Sequence, residues 1–342
     1  MQDPGGNPGE ELRLKWLLLF LMHHNTDYHG RFAPSPTGSV HFGSLVAAVA
    51  SYADALHHQG SWLVRMEDVD EGRTVKDSAD EILHTLEAFG FEWDQPILLQ
   101  SRRKPRYREI LDQLQQQRLA YACSCSRSEI AAQARMGVEG PVYPGTCRKT
   151  ATDKISGKAM RIRTNREEIC FEDRIQNRHC QVLERDVGDF IIYRADGYTA
   201  YQLAVVVDDA DQGITQVVRG ADLLLSTPRQ IHLQKLLGFP RPAYAHVPLV
   251  TDAQGQKLSK QDQAHPVSAS KPLSSLKSAW TFLRQPPAPE EPGNVEEFWQ
   301  WAASAWDIGR ITVPACRQCT ARDNSSTRRS KQPSPASVRR TW

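Results

Sequence analysis

Strand-like and helix-like segments alternate along this chain from residue 30 onward, and their order constrains the possible folds more than any other feature. Residues 61–66 form a short apolar run that is typical of a strand. Residues 75–89 place apolar side chains at helical spacing and end before Gly90, and residues 107–119 form a second amphipathic helix. Such alternation favours an α/β domain built on a parallel sheet.

The same alternation resumes after an interruption. Residues 198–207 are predicted to form a buried strand that ends in two aspartates, residues 228–237 a helix, and residues 246–250 a strand. Residues 120–195 have a different character, because they are first rich in cysteine, glycine and proline and then rich in strand-like segments. We therefore expect one sheet-based domain that is split by an insertion.

Two short segments, far apart in the chain, have the composition of a phosphate-binding site. Residues 34–44 place proline, glycine and small residues between a short apolar run and the helical segment 45–56. The N-terminus of a helix offers free N–H groups and the positive end of its dipole to a polyphosphate. Residues 257–260 carry two lysines around a serine, and such lysines can neutralise charge that develops on phosphates. Together the two segments predict an enzyme that uses ATP.

Composition limits the partners and the compartment. The 342-residue chain has a net charge of only +2, and residues 317–342 hold seven lysines and arginines against Asp323 alone, so the rest of the chain is acidic. Any contact with nucleic acid must therefore come from local basic patches. Seven cysteines, odd in number and mostly clustered, do not indicate a secreted disulfide framework, so we expect a cytoplasmic protein. We expect Cys170 and Cys180 to be structural.

Both ends of the chain differ from its patterned part. Residues 16–22 form an apolar run that is too short to span a bilayer and lacks a following cleavage site. We therefore expect residues 1–27 to be a non-functional extension, with Met22 as an alternative start, and we expect no association with membranes. Residues 267–312 are predicted to form a short helical C-terminal part, and residues 313–342 a disordered basic tail.

Five strings that follow one another along the chain resemble a known family. They are similar to signatures of the glutamyl branch of the class I aminoacyl-tRNA synthetases: RFAPSPTG (31–38), HFGS (41–44), RMED (65–68), VVRGAD (217–222) and KLSKQ (257–261). The HFGS string stands where that class carries H-I-G-H, and its Ser44 can donate a hydrogen bond but cannot supply an imidazolium. The resemblance implies a Rossmann-like catalytic domain over residues 28–120 and 196–266, interrupted by an insertion over residues 121–195.

The resemblance also implies that an amino acid is activated by ATP with Mg²⁺. A substrate carboxylate attacks the α-phosphorus and pyrophosphate leaves, so the protein must align the reactants and stabilise charge on the phosphates. We expect His41, Gly43 and Ser44 to act at the helix N-terminus, where a glycine lets the nucleotide approach closely. We expect Lys257 and Lys260 to meet the leaving pyrophosphate, with His41, Gly43 and Lys260 as the ATP-binding residues.

L-Glutamate is the substrate that the resemblance implies, and it needs partners for one ammonium group and two carboxylates. Arg31 and Arg219 are planar donors suited to carboxylates, and Glu67 at a strand end suits an ammonium group. Tyr201 offers a hydroxyl group from the predicted buried strand. The resemblance places these side chains in one glutamate pocket with a further four residues, which are Phe32, Ala33, Pro34 and Ser35. Surface ion pairing is the alternative role for the charged members.

Three cysteines and a tyrosine form a pattern that is typical of a zinc site. Cys123, Cys125 and Cys147 lie in one short segment, and zinc favours thiolates in a tetrahedral site. Three thiolates leave one position open, and the C-x-C…Y-x3-C pattern of one family implies Tyr143 as the fourth ligand. We expect one structural Zn²⁺ ion in the insertion, and unliganded cysteines are the alternative.

Within the glutamyl branch, the chain most resembles truncated paralogues that modify tRNA. These paralogues transfer glutamate to the queuosine base at the wobble position of aspartate tRNA. The HFGS and KLSKQ strings and the cysteine pattern match theirs, and the 81 residues after Gln261 are too few for a helical anticodon-binding domain. The resemblance therefore implies a monomeric enzyme whose partners are glutamate, ATP and tRNA(Asp) bearing queuosine.

Three other functions stay open at this point. The chain could be a truncated glutamyl-tRNA synthetase that charges tRNA conventionally, although the missing domain argues against it. It could be a catalytically silent paralogue that binds tRNA or nucleotide, for which Ser44 is the only indication. It could also be a nucleotidylyltransferase with the same HxG loop, but the two arginines and the cysteine-bearing insertion argue against that function.

Overall fold

The structure, a computed structural model, describes residues 28–149, 157–251 and 266–312. Within these ranges the strands are β1 (His29–Phe32), β2 (Ser61–Met66), β3 (Leu98–Leu99), β4 (Ala120–Cys123), β5 (Met136–Gly137), β6 (Gly140–Pro141), β7 (Ala159–Ile162), β8 (Glu168–Asp173), β9 (Asn177–Val182), β10 (Ile191–Tyr193), β11 (Gln216–Gly220) and β12 (Ala243–Val247). The α-helices are α1 (Phe42–His57), α2 (Ser78–Ala88), α3 (Lys104–Gln116), α4 (Arg127–Gln133), α5 (Leu183–Asp186), α6 (Tyr201–Asp211), α7 (Thr227–Leu237), α8 (Pro272–Phe282) and α9 (Val295–Ala305).

Parallel strands form the centre of the fold. Strands β1, β2 and β3 pair in parallel in that order, and β11, β12 and β8 form a second parallel group that β9 extends antiparallel. Two hydrogen bonds join His29 of β1 to Thr215 just before β11, with distances of 3.0 and 2.9 Å. Parallel strands interleaved with helices confirm the predicted α/β class.

Helix α1 is deeply buried against this sheet. Its apolar side chains from Leu45 to Ala55 are almost entirely buried, and they share one core with Phe32 of β1 and Val64 of β2. Helices α8 and α9 cover its other side, where Trp280 and Phe298 belong to the same core. A helix that is buried on both sides is fixed in position, and its N-terminus is therefore fixed as well.

Residues 198–207 were predicted to form a strand, and this prediction is wrong. Tyr201 begins helix α6, which runs to Asp211, and Tyr201 therefore lies at a helix N-terminus and not within a strand. The run from Leu203 to Val207 is buried on all sides and is rich in valine. A continuous apolar run of this kind has no periodicity that distinguishes a buried helix from a buried strand. Because valine is β-branched and has a high strand propensity, the run was interpreted as a strand.

The range predicted as an insertion contributes to two different sheets. Strands β4, β7 and β10 form an antiparallel sheet of their own, whereas the β8–β9 hairpin joins the β11–β12 sheet where Asp173 pairs with Tyr244. Cys170 and Cys180 face each other across this hairpin and form a disulfide bond. The division of the chain into a catalytic domain, an insertion and a helical C-terminal part stays a prediction.

Some sequence predictions fall on residues that the structure does not describe. Residues 1–27, residues 313–342 and the lysines Lys257 and Lys260 lie outside the described residues. Among the helices that are described, none combines the length and apolar character needed to cross a membrane.

A buried carboxylate on α1 joins three distant parts of the chain. Asp54 is 0% exposed and accepts hydrogen bonds from the Tyr28 hydroxyl group at 2.5 Å, from Arg174 at 2.6 and 3.0 Å, and from Trp306 Nε1 at 2.9 Å. Burial alone would raise the pKa of Asp54, but these donors and the charge of Arg174 hold it below its usual value. Asp54 therefore stabilises the fold at neutral pH, and this contribution is lost as the pH falls through the lowered pKa.

Asp54→Asn is expected to lower the free energy of unfolding by about 3 kcal/mol, because Arg174 loses its buried counter-charge. Urea unfolding at pH 7 measures this loss. The difference in free energy of unfolding between the variant and the unmodified protein should become smaller under acidic conditions, where Asp54 is protonated. Asp112→Asn on the exposed face of α3 is the matched control and should change stability by less than about 0.5 kcal/mol. Equal stability of the two variants at pH 7 would contradict this role of Asp54.

Candidate active site

A cleft of about 370 Å³ opens at the carboxyl ends of β1, β2 and β11. Open α/β sheets bind their ligands at this edge. The cleft is lined by every predicted catalytic or substrate-binding residue that the structure describes: Arg31, Phe32, Ala33, Pro34, Ser35, His41, Gly43, Ser44, Glu67, Tyr201 and Arg219. Residues from four separate stretches of the chain thus meet in one place.

The N-terminus of α1 forms one wall of this cleft. His41 caps the helix, since its Nδ1 atom accepts from the Ser44 N–H group at 3.2 Å. Nε2 then carries the ring proton and donates to Ser44 Oγ at 3.0 Å. A β-carbon at position 43 would lie only 3.2 Å from the His41 ring, so Gly43 leaves room for the ring. Ser44 therefore holds the His41 ring in place.

Asp209, near the end of α6, binds two arginines beneath the cleft. Its Oδ1 atom accepts from Arg31 Nε at 3.2 Å and from Arg65 Nη2 at 2.8 Å. All three side chains are buried, and Arg65 is 0% exposed. The charges of Arg31 and Arg65 keep the pKa of Asp209 below its usual value although burial acts in the opposite direction. Asp209 is thus an ionised anchor for both guanidinium groups.

Glu67 follows β2 and lines the cleft beside these arginines. Its Oε1 atom is buried and lies 3.6 Å from Arg65 Nη2, which is beyond hydrogen-bond distance. Burial raises the pKa of Glu67 to about 7, against the lowering effect of Arg65 and Arg31. A cleft carboxylate with a buried oxygen that accepts no hydrogen bond is the group that a cationic ligand would pair with.

Arg219 reaches the cleft from the end of β11 and is held by three partners. Nε lies 3.0 Å from His246 Nε2, and Nη2 donates to Thr227 Oγ1 at 2.9 Å and to Gln230 Oε1 at 2.7 Å. Within the described part of the chain, Arg219 Nη1 is buried and makes no hydrogen bond. A guanidinium group held on one side and unpaired on the other suits an incoming carboxylate.

The predicted zinc ligands also lie together, away from the cleft. The sulfur atoms of Cys123, Cys125 and Cys147 are all within 4.8 Å of one another, and Tyr143 Oη lies 3.4 Å from Cys123 Sγ and 3.7 Å from Cys125 Sγ. Tetrahedral zinc with bonds of about 2.3 Å needs sulfur atoms roughly 3.8 Å apart, so this donor set fits the ion. Burial alone would raise the pKa of Cys147, but hydrogen bonds from Ser124 and Cys125 lower it to about 7.

Arg161 supplies positive charge to the thiol cluster, and nothing in the sequence pattern indicated it. Its Nε atom donates to Cys123 Sγ at 3.3 Å, and its guanidinium carbon lies 3.8 Å above the centre of the Tyr143 ring. The Arg161 Nη1 atom donates to the carbonyl oxygen of Asp189 at 2.7 Å, which fixes the side chain. A thiolate-rich site is stabilised by a cation in this position.

A family model described as tRNA synthetases class I (E and Q), catalytic domain, matches residues 28–279. The chain belongs to the class I (E and Q) tRNA synthetases. This confirms the fold class and the ligase-type enzyme class that the sequence strings predicted, and it implies the use of ATP with Mg²⁺.

The curated relatives of this class I synthetase cover most of its length. Glutamyl-Q tRNA(Asp) synthetase from Chromobacterium violaceum is 51% identical over 287 residues, which is 84% of this chain and 96% of the relative. The protein of the same name from Dechloromonas aromatica is 54% identical over 290 residues, again 84% of this chain and 96% of the relative. These relatives confirm the resemblance to the glutamyl-Q tRNA(Asp) synthetases.

Solved structures agree on the fold of this class I synthetase. Glutamate-tRNA synthetase from Elizabethkingia anophelis matches with a TM-score of 0.69 and 23% identity, over 84% of this chain and 67% of the other. A glutamate tRNA ligase from Elizabethkingia meningosepticum in complex with its amino acid matches with a TM-score of 0.68 and 24% identity, over 84% of this chain and 66% of the other.

Sequence reasoning missed several residues that shape the site of this class I synthetase. Arg65 belongs to the RMED string and Asp209 is one of the two aspartates after residues 198–207, but neither was given a role, while Asp173, His246 and Arg161 were not singled out. Buried charge in a strand or helix is the one signal that could have found them, because a buried charge requires a partner. The identity of each partner depends on contacts between distant segments, which no short motif encodes.

Proposed function

We propose that this class I synthetase activates L-glutamate with ATP and Mg²⁺ and transfers it to the queuosine base of tRNA(Asp). The observation that carries the substrate assignment is the charge pattern of the cleft, where two buried arginines converge with Glu67, whose side chain is 7% exposed. Glutamate carries the complementary set of two carboxylates and one ammonium group. A neutral amino acid would leave one of the guanidinium groups without a partner.

Each charged group of glutamate is assigned to one side chain. Arg219 binds one carboxylate through Nη1. Arg31 binds the other carboxylate, and Asp209 holds Arg31 in position by accepting a hydrogen bond from its Nε atom. Glu67 binds the ammonium group, which lowers the pKa of Glu67 on binding. Tyr201 and residues 32–35 complete the pocket.

The nucleotide lies against the N-terminus of α1. His41, Gly43 and Ser44 contact the ATP phosphates there, since the first helical turn offers N–H groups that have no acceptor within the helix. The glutamate carboxylate attacks the α-phosphorus, the bond to the β-phosphate breaks, and pyrophosphate leaves. Lys257 and Lys260, which lie outside the described residues, are proposed to stabilise the leaving pyrophosphate.

Transfer to queuosine is proposed from the names and the coverage of the relatives. Two proteins named Glutamyl-Q tRNA(Asp) synthetase are more than half identical to this chain and match it over 96% of their own lengths. Transfer proceeds by attack of the acceptor on the activated carbonyl carbon of glutamate, with AMP as the leaving group. The conventional terminal adenosine of a tRNA is the competing acceptor.

One Zn²⁺ ion is proposed to bind the thiol cluster, with Cys123, Cys125, Tyr143 and Cys147 as its ligands. When bound, the ion crosslinks the segment that follows β4 to the segment around Cys147 and serves structure, because it lies away from the cleft. Arg161 offsets the negative charge of the ligands from its position over Tyr143.

Transfer of labelled glutamate is the direct test of this function. With ATP present, label should appear on tRNA(Asp) that carries queuosine and should be absent from the same tRNA without queuosine. Label on glutamate tRNA instead would establish conventional charging. Glutamate-dependent pyrophosphate exchange without transfer to any tRNA would contradict the proposed acceptor, and absence of exchange would contradict the proposed enzyme.

The KM for glutamate should depend on pH through Glu67. Because the free carboxylate has a pKa of about 7 and only its ionised form pairs with the substrate ammonium group, KM should rise about tenfold from pH 8 to pH 6. Pyrophosphate exchange measures this effect. Glu67→Gln should show a high KM that no longer changes over this range, and a constant KM in the unmodified enzyme would contradict the assignment.

Cys125→Ser should remove most of the zinc, because three remaining ligands hold the ion weakly. Elemental analysis of the purified chain is expected to find about one zinc per unmodified chain and much less in the variant. Ser128→Ala, three residues further along on an exposed face, is the matched control and should keep its zinc. An unchanged zinc content in Cys125→Ser would rule out this site.

A further inference from the structure

We propose that Asp173 and His246 form a buried pair that positions Arg219, so that Nη1 of this arginine stays available to the substrate. The identity of that substrate rests on the proposed function, while the pair itself rests on the contacts of described residues. Neither Asp173 nor His246 lines the cleft, so both are positioning residues.

His246 lies beside Arg219 in the register of β11 and β12, and it is 0% exposed. Its Nε2 atom is 3.0 Å from Arg219 Nε, and a guanidinium N–H group can only donate. Nε2 must therefore be the unprotonated acceptor nitrogen of the ring. Only the histidine tautomer that carries its proton on Nδ1 satisfies this contact.

Asp173 selects that tautomer. Its Oδ2 atom lies 2.5 Å from His246 Nδ1, and an ionised carboxylate can only accept, so the proton sits on Nδ1. Its Oδ1 atom is occupied by the backbone N–H groups of Ile175 at 3.0 Å, Gln176 at 2.8 Å and His246 at 3.1 Å. These three backbone donors fix the orientation of the carboxylate.

These contacts fix the orientation of the Arg219 guanidinium group. Nε is held by His246, and Nη2 is held by Thr227 and Gln230. Among the described residues nothing accepts from Nη1, and that atom is buried at the cleft. A substrate carboxylate that accepts from Nη1 would complete the hydrogen bonding of the guanidinium group.

The Asp173–His246 pair does not change its protonation state near neutral pH. Burial, together with the charge of Arg219, lowers the pKa of His246 to about 4, against the opposing effect of Asp173. The ring is therefore a neutral acceptor wherever the enzyme works, and the arginine keeps one orientation.

Asp173→Asn is the sharpest test, because it preserves size and reverses the tautomer. The three backbone donors require an oxygen at the Oδ1 position, so the new amide nitrogen faces His246 Nδ1. His246 must then carry its proton on Nε2, opposite the Arg219 N–H group. In pyrophosphate exchange, KM for glutamate should rise about tenfold or more, with kcat and KM for ATP changed less than about threefold.

Two variants of His246 form a matched pair. Glutamine places an oxygen near the position of Nε2, whereas the shorter asparagine side chain reaches only the position of Nδ1. His246→Gln should keep KM for glutamate within about threefold of the unmodified enzyme, and His246→Asn should raise it about tenfold. Equal KM values for the two variants, or a KM for ATP that rises as much as that for glutamate, would overturn the positioning role.

Nitrogen NMR of ¹⁵N-histidine-labelled full-length protein separates this inference from the proposed function. His246 should report the Nδ1–H tautomer in the unmodified chain and the Nε2–H tautomer in Asp173→Asn, whether or not glutamate is the substrate. An Nε2–H tautomer in the unmodified chain would overturn the inference. An Nδ1–H tautomer without glutamate-dependent exchange would support the pair and contradict only the proposed substrate.

Discussion

Arg31 and Arg65 enter the interior of the α/β domain on adjacent parallel strands, and the carboxylate of Asp209 accepts a hydrogen bond from both. Without Asp209, two cations would be buried together, which the interior of a protein does not tolerate. The shared ion pair therefore fixes β1, β2 and α6 relative to one another. Because Glu67 follows β2 and Tyr201 begins α6, the same ion pair also positions the elements that carry these two cleft residues.

Helix α1 adds the second requirement of the chemistry. Its apolar side chains are buried between the sheet and helices α8 and α9, while its first turn is exposed to the cleft. His41 and Ser44 organise that turn through their mutual hydrogen bonds. The proposed polyphosphate site and the proposed amino-acid site thus meet at one edge of the sheet, as expected for a class I synthetase that must align two substrates.

Elements and site residues could be predicted from the sequence where a short motif specifies them. They could not be predicted where contacts between distant segments determine the structure. The α/β class and the residues that line the cleft could be predicted because each depends on a local pattern, such as helical spacing before Gly90 or the glycine of the HFGS string. Helix α6 was mistaken for a strand because its run from Leu203 to Val207 is buried on every side. Asp173 and His246 are 73 residues apart, and no local pattern reveals their contact.

The unpaired Nη1 atom of Arg219 has a consequence for how this enzyme tells similar molecules apart. Glutamine has nearly the shape of glutamate, so shape alone would reject it weakly. A glutamine amide can turn its carbonyl oxygen toward Nη1, but that oxygen is a neutral acceptor, so the charge-assisted hydrogen bond of a carboxylate is replaced by a weaker one. For the proposed substrate, with its side-chain carboxylate at Nη1, a difference of about 1.4 kcal/mol between the two hydrogen bonds corresponds to about tenfold preference for glutamate over glutamine.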